Sequence, residues 1–136
     1  MAVEKISSEH LGKVIYRLEI PYKFPSFNEY VNECRKNRYA GAKMKRQVQD
    51  DIGYFINTLP EFHHPVKIHF HWIENNKRRD LDNVCYAKKF ILDSLVECHR
   101  MPDDNRNCVV AFLDTFENGS YARVILEIEE VKNDTM

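Results

Sequence analysis

Apolar and polar residues alternate in four segments of the chain, and a period of two is typical of half-buried β-strands. The segments are residues 13–21, 65–74, 107–116 and 120–130. In the second segment the inward positions are Val66, Ile68, Phe70 and Trp72. The last two segments are joined by Glu117-Asn118-Gly119, and the Asn-Gly pair predicts a β-hairpin between them.

Three other segments have the period of α-helices. Ser26, with Glu29 three residues later, predicts a capped short helix before a break at residues 39–41. From residue 42 to residue 59 apolar residues recur at every third or fourth position, which predicts a helix of about five turns that ends at Pro60. Residues 81–97 form the third predicted helix, with Asp80 as its N-cap.

The order of these elements is β-α-α-β-α-β-β. This order predicts an α+β fold with two layers, in which helices cover one face of a roughly four-stranded mixed sheet. A chain of 136 residues is long enough to form one core, so we expect a single domain over residues 1–136. The ends, residues 1–10 and 132–136, are expected to be frayed.

No stretch of the sequence reaches the ~20 apolar residues that cross a bilayer. Residues 1–12 contain no apolar core of a secretory signal, so we expect a cytoplasmic protein without membrane contact. The cysteines contain no C-x-x-C pair, which favours reduced thiols over a zinc ribbon or a redox dithiol. They are Cys34, Cys85, Cys98 and Cys108.

Charge is unevenly distributed along the chain. The net charge of -1 and the isoelectric point of about 6.6 are lower than in many DNA-binding domains. Residues 35–46 nevertheless contain no acid and six basic residues: Arg35, Lys36, Arg38, Lys43, Lys45 and Arg46. A second basic cluster is Lys77, Arg78 and Arg79. The asymmetry predicts a basic face, although a solvated helix surface explains the first cluster equally well.

The segment RRDLDN, residues 78–83, and the later pair Asp103-Asp104 are the most informative for chemistry. Asp80 and Asp82 stand where a strand and a turn lead into a helix, so both carboxylates can reach one point near the helix start. Asp104, in the loop after that helix, reaches the same point if the helix runs back along the sheet. Three carboxylates at one point repel one another unless a cation is present. Because carboxylate oxygens suit Mg²⁺ and Mn²⁺, the three aspartates are a candidate magnesium site.

Two alternative interpretations compete with a magnesium site. An EF-hand beginning at Asp80 fails, because its sixth position is Cys85 and its twelfth is Ile91. The second alternative is purely structural and stays open: Asp80 as a helix cap, and Asp103 and Asp104 as turn residues.

A helical projection at about 100° per residue adds a lysine to the candidate site. One polar stripe holds Asp82, Tyr86, Lys89 and Asp93, and the opposite apolar face holds Val84, Ala87, Ile91 and Leu95. Lys89 therefore points the same way as the carboxylates, where a cation can stabilise charge that develops on a phosphate. The structural alternative is an ion pair with Asp93. Lys88 lies at the margin of the buried face.

These residues resemble the RusA family of Holliday junction resolvases. The similar segments are RRDLDN (78–83), ILDSL (91–95), Asp103-Asp104 and PSFNEY (25–30), and the resemblance spans roughly residues 14–128. It implies a homodimer, often of phage or prophage origin, that binds four-way junctions and introduces paired nicks with magnesium. By position, it makes Asp80, Asp82 and Asp104 the catalytic acids.

The chain departs from that family at the catalytic lysine, which commonly follows the D-x-D-N motif by three or four residues. This chain has Tyr86 there. Because the helix between Asp82 and Asp93 is longer by about three residues, nearly one turn, Lys89 is assigned as the catalytic lysine and Lys88 as the alternative. The near-neutral charge is the second departure, since phosphate contacts dominate affinity for DNA.

The sequence therefore leads to a main hypothesis and two alternatives. The main one is a magnesium-dependent, structure-selective endodeoxyribonuclease of recombination and repair, in which Lys77, Arg78, Arg79, Lys88 and the basic residues of 35–46 bind DNA phosphates. The alternatives are a DNA-binding module without catalysis and a protein-interaction domain. His69 and His71 share a strand face, but no third ligand is evident, so surface histidines are expected rather than a zinc site.

Overall fold

The computed structural model describes residues 4–8 and 13–132. The strands are β1 (Glu4–Ser8), β2 (Lys13–Ile20), β3 (Val66–Glu74), β4 (Val109–Asn118) and β5 (Arg123–Glu130). The helices are α1 (Phe27–Lys36), α2 (Ala40–Ile56), α3 (Leu81–Cys85) and α4 (Lys88–Glu97). Residues 4–8 were expected to be frayed but form a strand. Of the other residues that were expected to be frayed, 1–3, 9–10 and 133–136 lie outside the described residues.

The five strands form one mixed sheet in the order β1-β2-β5-β3-β4, in which only β3 and β4 are parallel. The predicted α+β class is confirmed, and β1 adds a strand to the four that were expected. β4 lies at one edge of this sheet, where its outer backbone has no partner among the described residues. Three apolar side chains of this edge strand, Val110, Phe112 and Leu113, are 47–57% exposed.

The predicted hairpin between the last two strands is wrong, because β3 lies between β4 and β5. β3 is the strand with the most buried apolar side chains, so it takes a central place with a neighbour on each side. The Asn-Gly turn crosses the end of β3, where the Gly119 amide donates to the Glu74 carbonyl at 2.9 Å. A Cβ atom at Gly119 would lie 2.6 Å from Cγ2 of Ile73, so this crossing requires glycine.

All helices pack on one face of the sheet, as predicted. The buried core between the layers joins strand residues such as Leu18, Phe70 and Leu126 to helix residues such as Ile52 and Ile91. The opposite face of the sheet, here called the open face, carries polar side chains that are only partly buried, among them His69, His71, Thr115 and Glu127. The alternation seen in the sequence thus separates a core face from a polar face.

The first two helices follow the sequence closely. Ser26 and Glu29 form the predicted capping box at the start of α1. α2 begins at Ala40, two residues before the predicted start, and it includes Gly41, where any side chain would collide with the thiol of Cys34 on α1. No helix in the described part of the chain is long and apolar enough to cross a membrane.

The third predicted helix is divided into α3 and α4, which corrects the single helix expected over 81–97. Around the break the amides of Ala87, Lys89 and Phe90 each donate to a carbonyl three residues earlier. Such tighter turns rotate the chain further per residue than an α-helix does. The rotation directs Tyr86 onto α1, where its ring centroid lies 4.6 Å from that of Phe27 and 6.0 Å from that of Tyr30.

Candidate functional site

The start of α3 holds two of the three predicted acids. Asp80 has the extended backbone of an N-cap residue, and its carbonyl accepts the amide of Val84 at 3.1 Å. Its carboxylate, however, makes no capping hydrogen bond. The purely structural interpretation of Asp80 as a helix cap therefore explains its backbone but leaves its side chain without a role.

Asp80 and Asp82 differ from most acids of the chain in having no counterion. Among the described residues, neither carboxylate accepts a hydrogen bond or forms an ion pair. Both residues are exposed. Two neighbouring acids without a cation repel each other, and the positive end of the helix dipole at α3 offsets only part of that repulsion. The pair is consequently available to an external cation.

Asp80 also lines a cavity of about 600 Å³ at the end of β3 and β4. Its wall includes apolar side chains of the core layer, Trp72 and Phe116, together with charged side chains of the turn after β3, Lys77 and Arg79. A floor of aromatic residues below a charged rim is a common composition for a binding site.

Asp104 lies in a different depression, of about 500 Å³, with Lys45, Arg46, Asp93 and Glu97. Its Oδ2 accepts a hydrogen bond of 3.3 Å from Nζ of Lys89, which also lies 3.0 Å from Oδ1 of Asp93. The described residues contain no group of three or more His, Cys, Asp or Glu side chains that could hold a metal ion. The structure therefore pairs Asp104 with Lys89 and does not place the three predicted acids around one point.

The neighbouring Asp103 has the role of a turn residue that the sequence left open. Its Oδ1 accepts the amide of Asp104 at 2.7 Å, and its Oδ2 accepts Nδ2 of Asn105 at 3.1 Å. The structural alternative thus holds for Asp103. It does not account for the carboxylate of Asp104.

Lys89 stands at the centre of a small charge cluster. Lys45 Nζ lies 2.7 Å from the second carboxylate oxygen of Asp93, so this acid has two cations. The hydrogen bond to Asp93 raises the pKa of Lys89, and Asp104 adds to this effect. Burial raises the pKa of Asp93, but the ion pairs with Lys45 and Lys89 outweigh it and hold that pKa below its usual value. Lys89 therefore keeps a full positive charge beside Asp104.

Lys88 points into the protein instead of along the polar stripe. Its ammonium forms an ion pair with Asp114 of β4 and lies 5.0 Å from the ring centroid of Phe112 and 5.7 Å from that of Phe70. Asp114 also accepts a hydrogen bond of 2.9 Å from Nε1 of Trp72. The Lys88 and Asp114 side chains are only 21% and 20% exposed. Because its ammonium is mostly buried and already paired, Lys88 is poorly placed to bind a DNA phosphate, the role that the sequence predicted for it.

Asp114 is the residue that sequence reasoning missed. It occupies an inward position of β4, between Phe112 and Phe116, where an apolar residue is expected. A charged residue at such a position is the signal that marks it in the sequence. Cys85, at the end of α3, lies close enough to this ion pair to feel its charges. Burial raises the pKa of the Cys85 thiol, and the charges of Lys88, Asp114 and Asp82 also act on that pKa.

The first basic cluster is partly neutralised within the chain. Lys36 pairs with Glu33, Lys45 with Asp93, and Arg46 with Glu97. Arg38 donates to the hydroxyl of Tyr39 and stacks over its ring. Arg35 and Lys43 have no side-chain partner among the described residues. The local charge of the exposed surface is therefore smaller than the sequence suggests.

The second basic cluster divides in the same way. Lys77 and Arg78 are exposed and without a side-chain partner in the described part of the chain. Arg79 lies 2.6 Å from Glu29 and 3.7 Å from Glu74, and it donates to the carbonyl of Phe24 at 2.8 Å. Arg79 thus fastens α1 to the turn before α3, while Lys77 and Arg78 remain available for phosphates.

Two of the four segments that carry the family resemblance meet in the structure. The amide of Asn28 donates to Oδ1 of Asn83 at 3.3 Å, next to the ion pair between Glu29 and Arg79. The start of α1 therefore supports the start of α3, so PSFNEY and RRDLDN form one structural unit. Comparison with models of known protein families and with curated proteins gives no match for this chain.

Proposed function

We propose that this protein is a magnesium-dependent endodeoxyribonuclease of the RusA type that cuts branched DNA. The observation that carries the proposal is the pair of carboxylates at the start of α3, Asp80 and Asp82, which have no cation or hydrogen-bond donor among the described residues. Asp80 lines a cavity that also has aromatic residues and Lys77 in its wall, and Lys77 and Arg78, which precede the two acids, have no side-chain partner in the described part of the chain. Acids and unpaired cations at one edge suit a phosphodiester substrate.

The donor set fits magnesium in part. Mg²⁺ is usually held by one or two carboxylates, with water and substrate phosphate completing its shell, and Asp80 and Asp82 supply that number. Asp104, the third acid of the proposal, is bonded to Lys89 and has to leave it to join them. A bound magnesium ion would supply hydroxide and polarise the phosphate.

The chain's own residues have separate parts in this proposal. Lys77, Arg78, Arg35 and Lys43 bind backbone phosphates, which selects DNA by shape rather than by sequence. Lys89 is the proposed catalytic lysine, because it is charged, exposed and already bonded to one of the proposed acids. A lysine at this position stabilises negative charge on the phosphate in the transition state.

We also propose a homodimer formed through β4. Among the residues that the structure describes, the outer edge of β4 has unpaired backbone groups and exposed apolar side chains, which favour pairing with another strand. Antiparallel pairing of β4 with its copy is self-complementary and has twofold symmetry. The symmetry matches that of a four-way junction, in which two strands are cut.

Cleavage of a labelled synthetic four-way junction in magnesium tests the proposal. We compare the wild type with Asp82→Asn and, as the matched control, with Asp103→Asn, which changes an acid of the turn. The wild type and the Asp103 variant are expected to nick the junction and spare a linear duplex, whereas the Asp82 variant is inactive. Equal cutting by all three proteins would refute the site.

The second candidate function is a DNA-binding module of the same fold without catalysis. It is favoured by Tyr86, which packs on α1 at the position where the family commonly has its lysine. It predicts that the wild type retains a junction in a gel-shift assay and cuts it at no concentration of Mg²⁺ or Mn²⁺.

A further inference from the structure

The open face of the sheet holds a continuous hydrogen-bond chain across three strands. On β3, His69 Nε2 and His71 Nδ1 lie 2.6 Å and 2.5 Å from the same atom, Oγ1 of Thr115 on β4. The outer nitrogens are held by glutamates, His69 Nδ1 at 3.0 Å from Glu127 and His71 Nε2 at 2.6 Å from Glu117. Two imidazoles therefore converge on one point, and each is fixed from behind by a carboxylate.

When both imidazole rings are neutral, this series of hydrogen bonds has one hydrogen fewer than it has contacts. A neutral imidazole has one N–H, and a carboxylate can only accept, so each ring donates to its glutamate. The two inner nitrogens then present lone pairs to Thr115, whose hydroxyl has a single hydrogen. One inner contact has no proton, unless a ring takes up a second one. A cation that accepts both lone pairs removes this mismatch.

We propose that His69 and His71 bind a divalent transition-metal ion of the zinc, copper and nickel group. Imidazole nitrogen suits these ions. A carboxylate on the outer nitrogen is the arrangement that orients histidine ligands and increases their basicity. Because the described residues contain no group of three or more His, Cys, Asp or Glu ligands, this is a two-histidine site completed by water. The Thr115 hydroxyl has to turn away when the ion binds, because two ligands of one ion at about 2.0–2.2 Å lie roughly 3 Å apart, farther than Oγ1 now lies from either nitrogen. Magnesium, which prefers oxygen ligands, is not expected here.

The site is accessible, and one of its residues, Glu117, also lines the cavity beside Asp80. The His69 and His71 side chains are 28% and 25% exposed, and the helices pack on the other face of the sheet. The ion needs both rings in the positions that the folded sheet gives them. Binding is therefore expected to stabilise the folded chain, in proportion to the occupancy of the site.

Isothermal titration calorimetry of the full chain, without a histidine tag, tests the proposal. The probes are ZnCl₂ and NiCl₂. MgCl₂ is the comparison ion, because any Mg²⁺ that binds at Asp80 and Asp82 is expected to bind the wild type and the histidine variants equally. The wild type is expected to bind one equivalent of Zn²⁺ and to melt at a higher temperature with it. His69→Gln and His71→Gln are each expected to lower the affinity at least about tenfold, and Glu127→Gln to lower it by about 10–100-fold.

The matched control is the double variant His63→Gln, His64→Gln, which removes two exposed histidines outside the chain of hydrogen bonds and is expected to bind as the wild type does. Absence of saturable binding up to about 1 mM ion would overturn the proposal. So would an affinity that is unchanged in both His69→Gln and His71→Gln. Circular dichroism of each variant shows that a loss of binding does not reflect unfolding.

Discussion

The two short helices after β3, α3 and α4, differ in whether their charged side chains have ionic partners. At the start of α3, Asp80 and Asp82 have no ionic partner in the described chain. In α4, Lys88 is paired with Asp114 of β4, and Lys89 is paired with Asp93 of the same helix and with Asp104 of the following loop. Paired charges hold the layers together and leave little free charge for a ligand. The unpaired acids contribute no contact of this kind. The carboxylates at the start of α3 are therefore open to a ligand. In α4 the buried Lys88 serves the fold, whereas the pairs of Lys89 are exposed at the surface.

The largest expected effect separates activity from stability at α3. Asp80→Asn and Asp82→Asn are each expected to lower the rate of junction cutting at least about a hundredfold, because each removes a magnesium ligand. The midpoint of urea denaturation is expected to stay the same or rise, because repulsion between the two acids is relieved. If the rate of cutting and the midpoint of urea denaturation both fall, the two carboxylates stabilise the folded state and the loss of cutting reflects unfolding.

The opposite result is expected at the buried pair of α4. Lys88→Met leaves the mostly buried Asp114 without its cation and is expected to lower the free energy of unfolding by about 2 kcal/mol or more. The double variant Lys88→Met, Asp114→Asn is expected to recover most of this loss, because no charge is left unpaired and the amide oxygen can still accept the hydrogen bond from Trp72. Urea denaturation of the three proteins measures both values.

The control for that variant is Lys89→Met, since Lys89 is 55% exposed and its ion pairs are screened by water. Its cost is expected to stay below about 1 kcal/mol. A loss equal to that of Lys88→Met would contradict the difference between the two lysines.

A smaller effect is expected in the pH dependence of stability. Lys45 and Lys89 hold the pKa of Asp93 below its usual 3.8, so the native state favours the charged form of this acid. Its contribution is present above the unfolded pKa and is lost as the pH falls through the lower pKa of the folded state. Asp93→Asn is therefore expected to be less stable at neutral pH and to lose less stability below pH 3.8 than the wild type. If the free energy of unfolding falls equally with pH in the wild type and in Asp93→Asn, Asp93 is not the source of this pH dependence.

The smallest expected effect extends the comparison to the basic cluster. Arg35→Gln removes an unpaired cation and is expected to reduce the salt dependence of junction binding by about one unit of slope. Arg46→Gln removes a cation that is paired with Glu97, so its salt dependence is expected to stay closer to that of the wild type. Gel-shift titrations at several salt concentrations measure the slopes.

Local patterns of the sequence predicted the elements well. The alternation in β3, the Ser26 capping box and the position of Asp80 before α3 all depend on neighbours within a few residues, and all are present. The pairing of strands is not local. Asn118-Gly119 predicts a reversal of the chain, but nothing within the turn indicates that β3 lies between the two arms.

The site shows the same limit. Tyr86 contacts α1 at the break between α3 and α4, and a helical projection assumes one uninterrupted helix. The projection placed Lys89 beside Asp93 correctly, because both residues lie in α4. It failed to show that Lys88 reaches Asp114, because that partner is on another strand.

The central position of β5 has a consequence for how the chain folds. β5 comes last in the sequence, yet it pairs with β2, where Leu126 stands opposite Leu18, and with β3, where Ile128 stands opposite Ile68. Pairings between such distant segments are slow to form, because the intervening loops must first be ordered. During synthesis, the pair β1-β2 and the pair β3-β4 cannot form one sheet until β5 has been made. A chain that ends before Arg123 therefore lacks the central strand of the sheet rather than an edge strand.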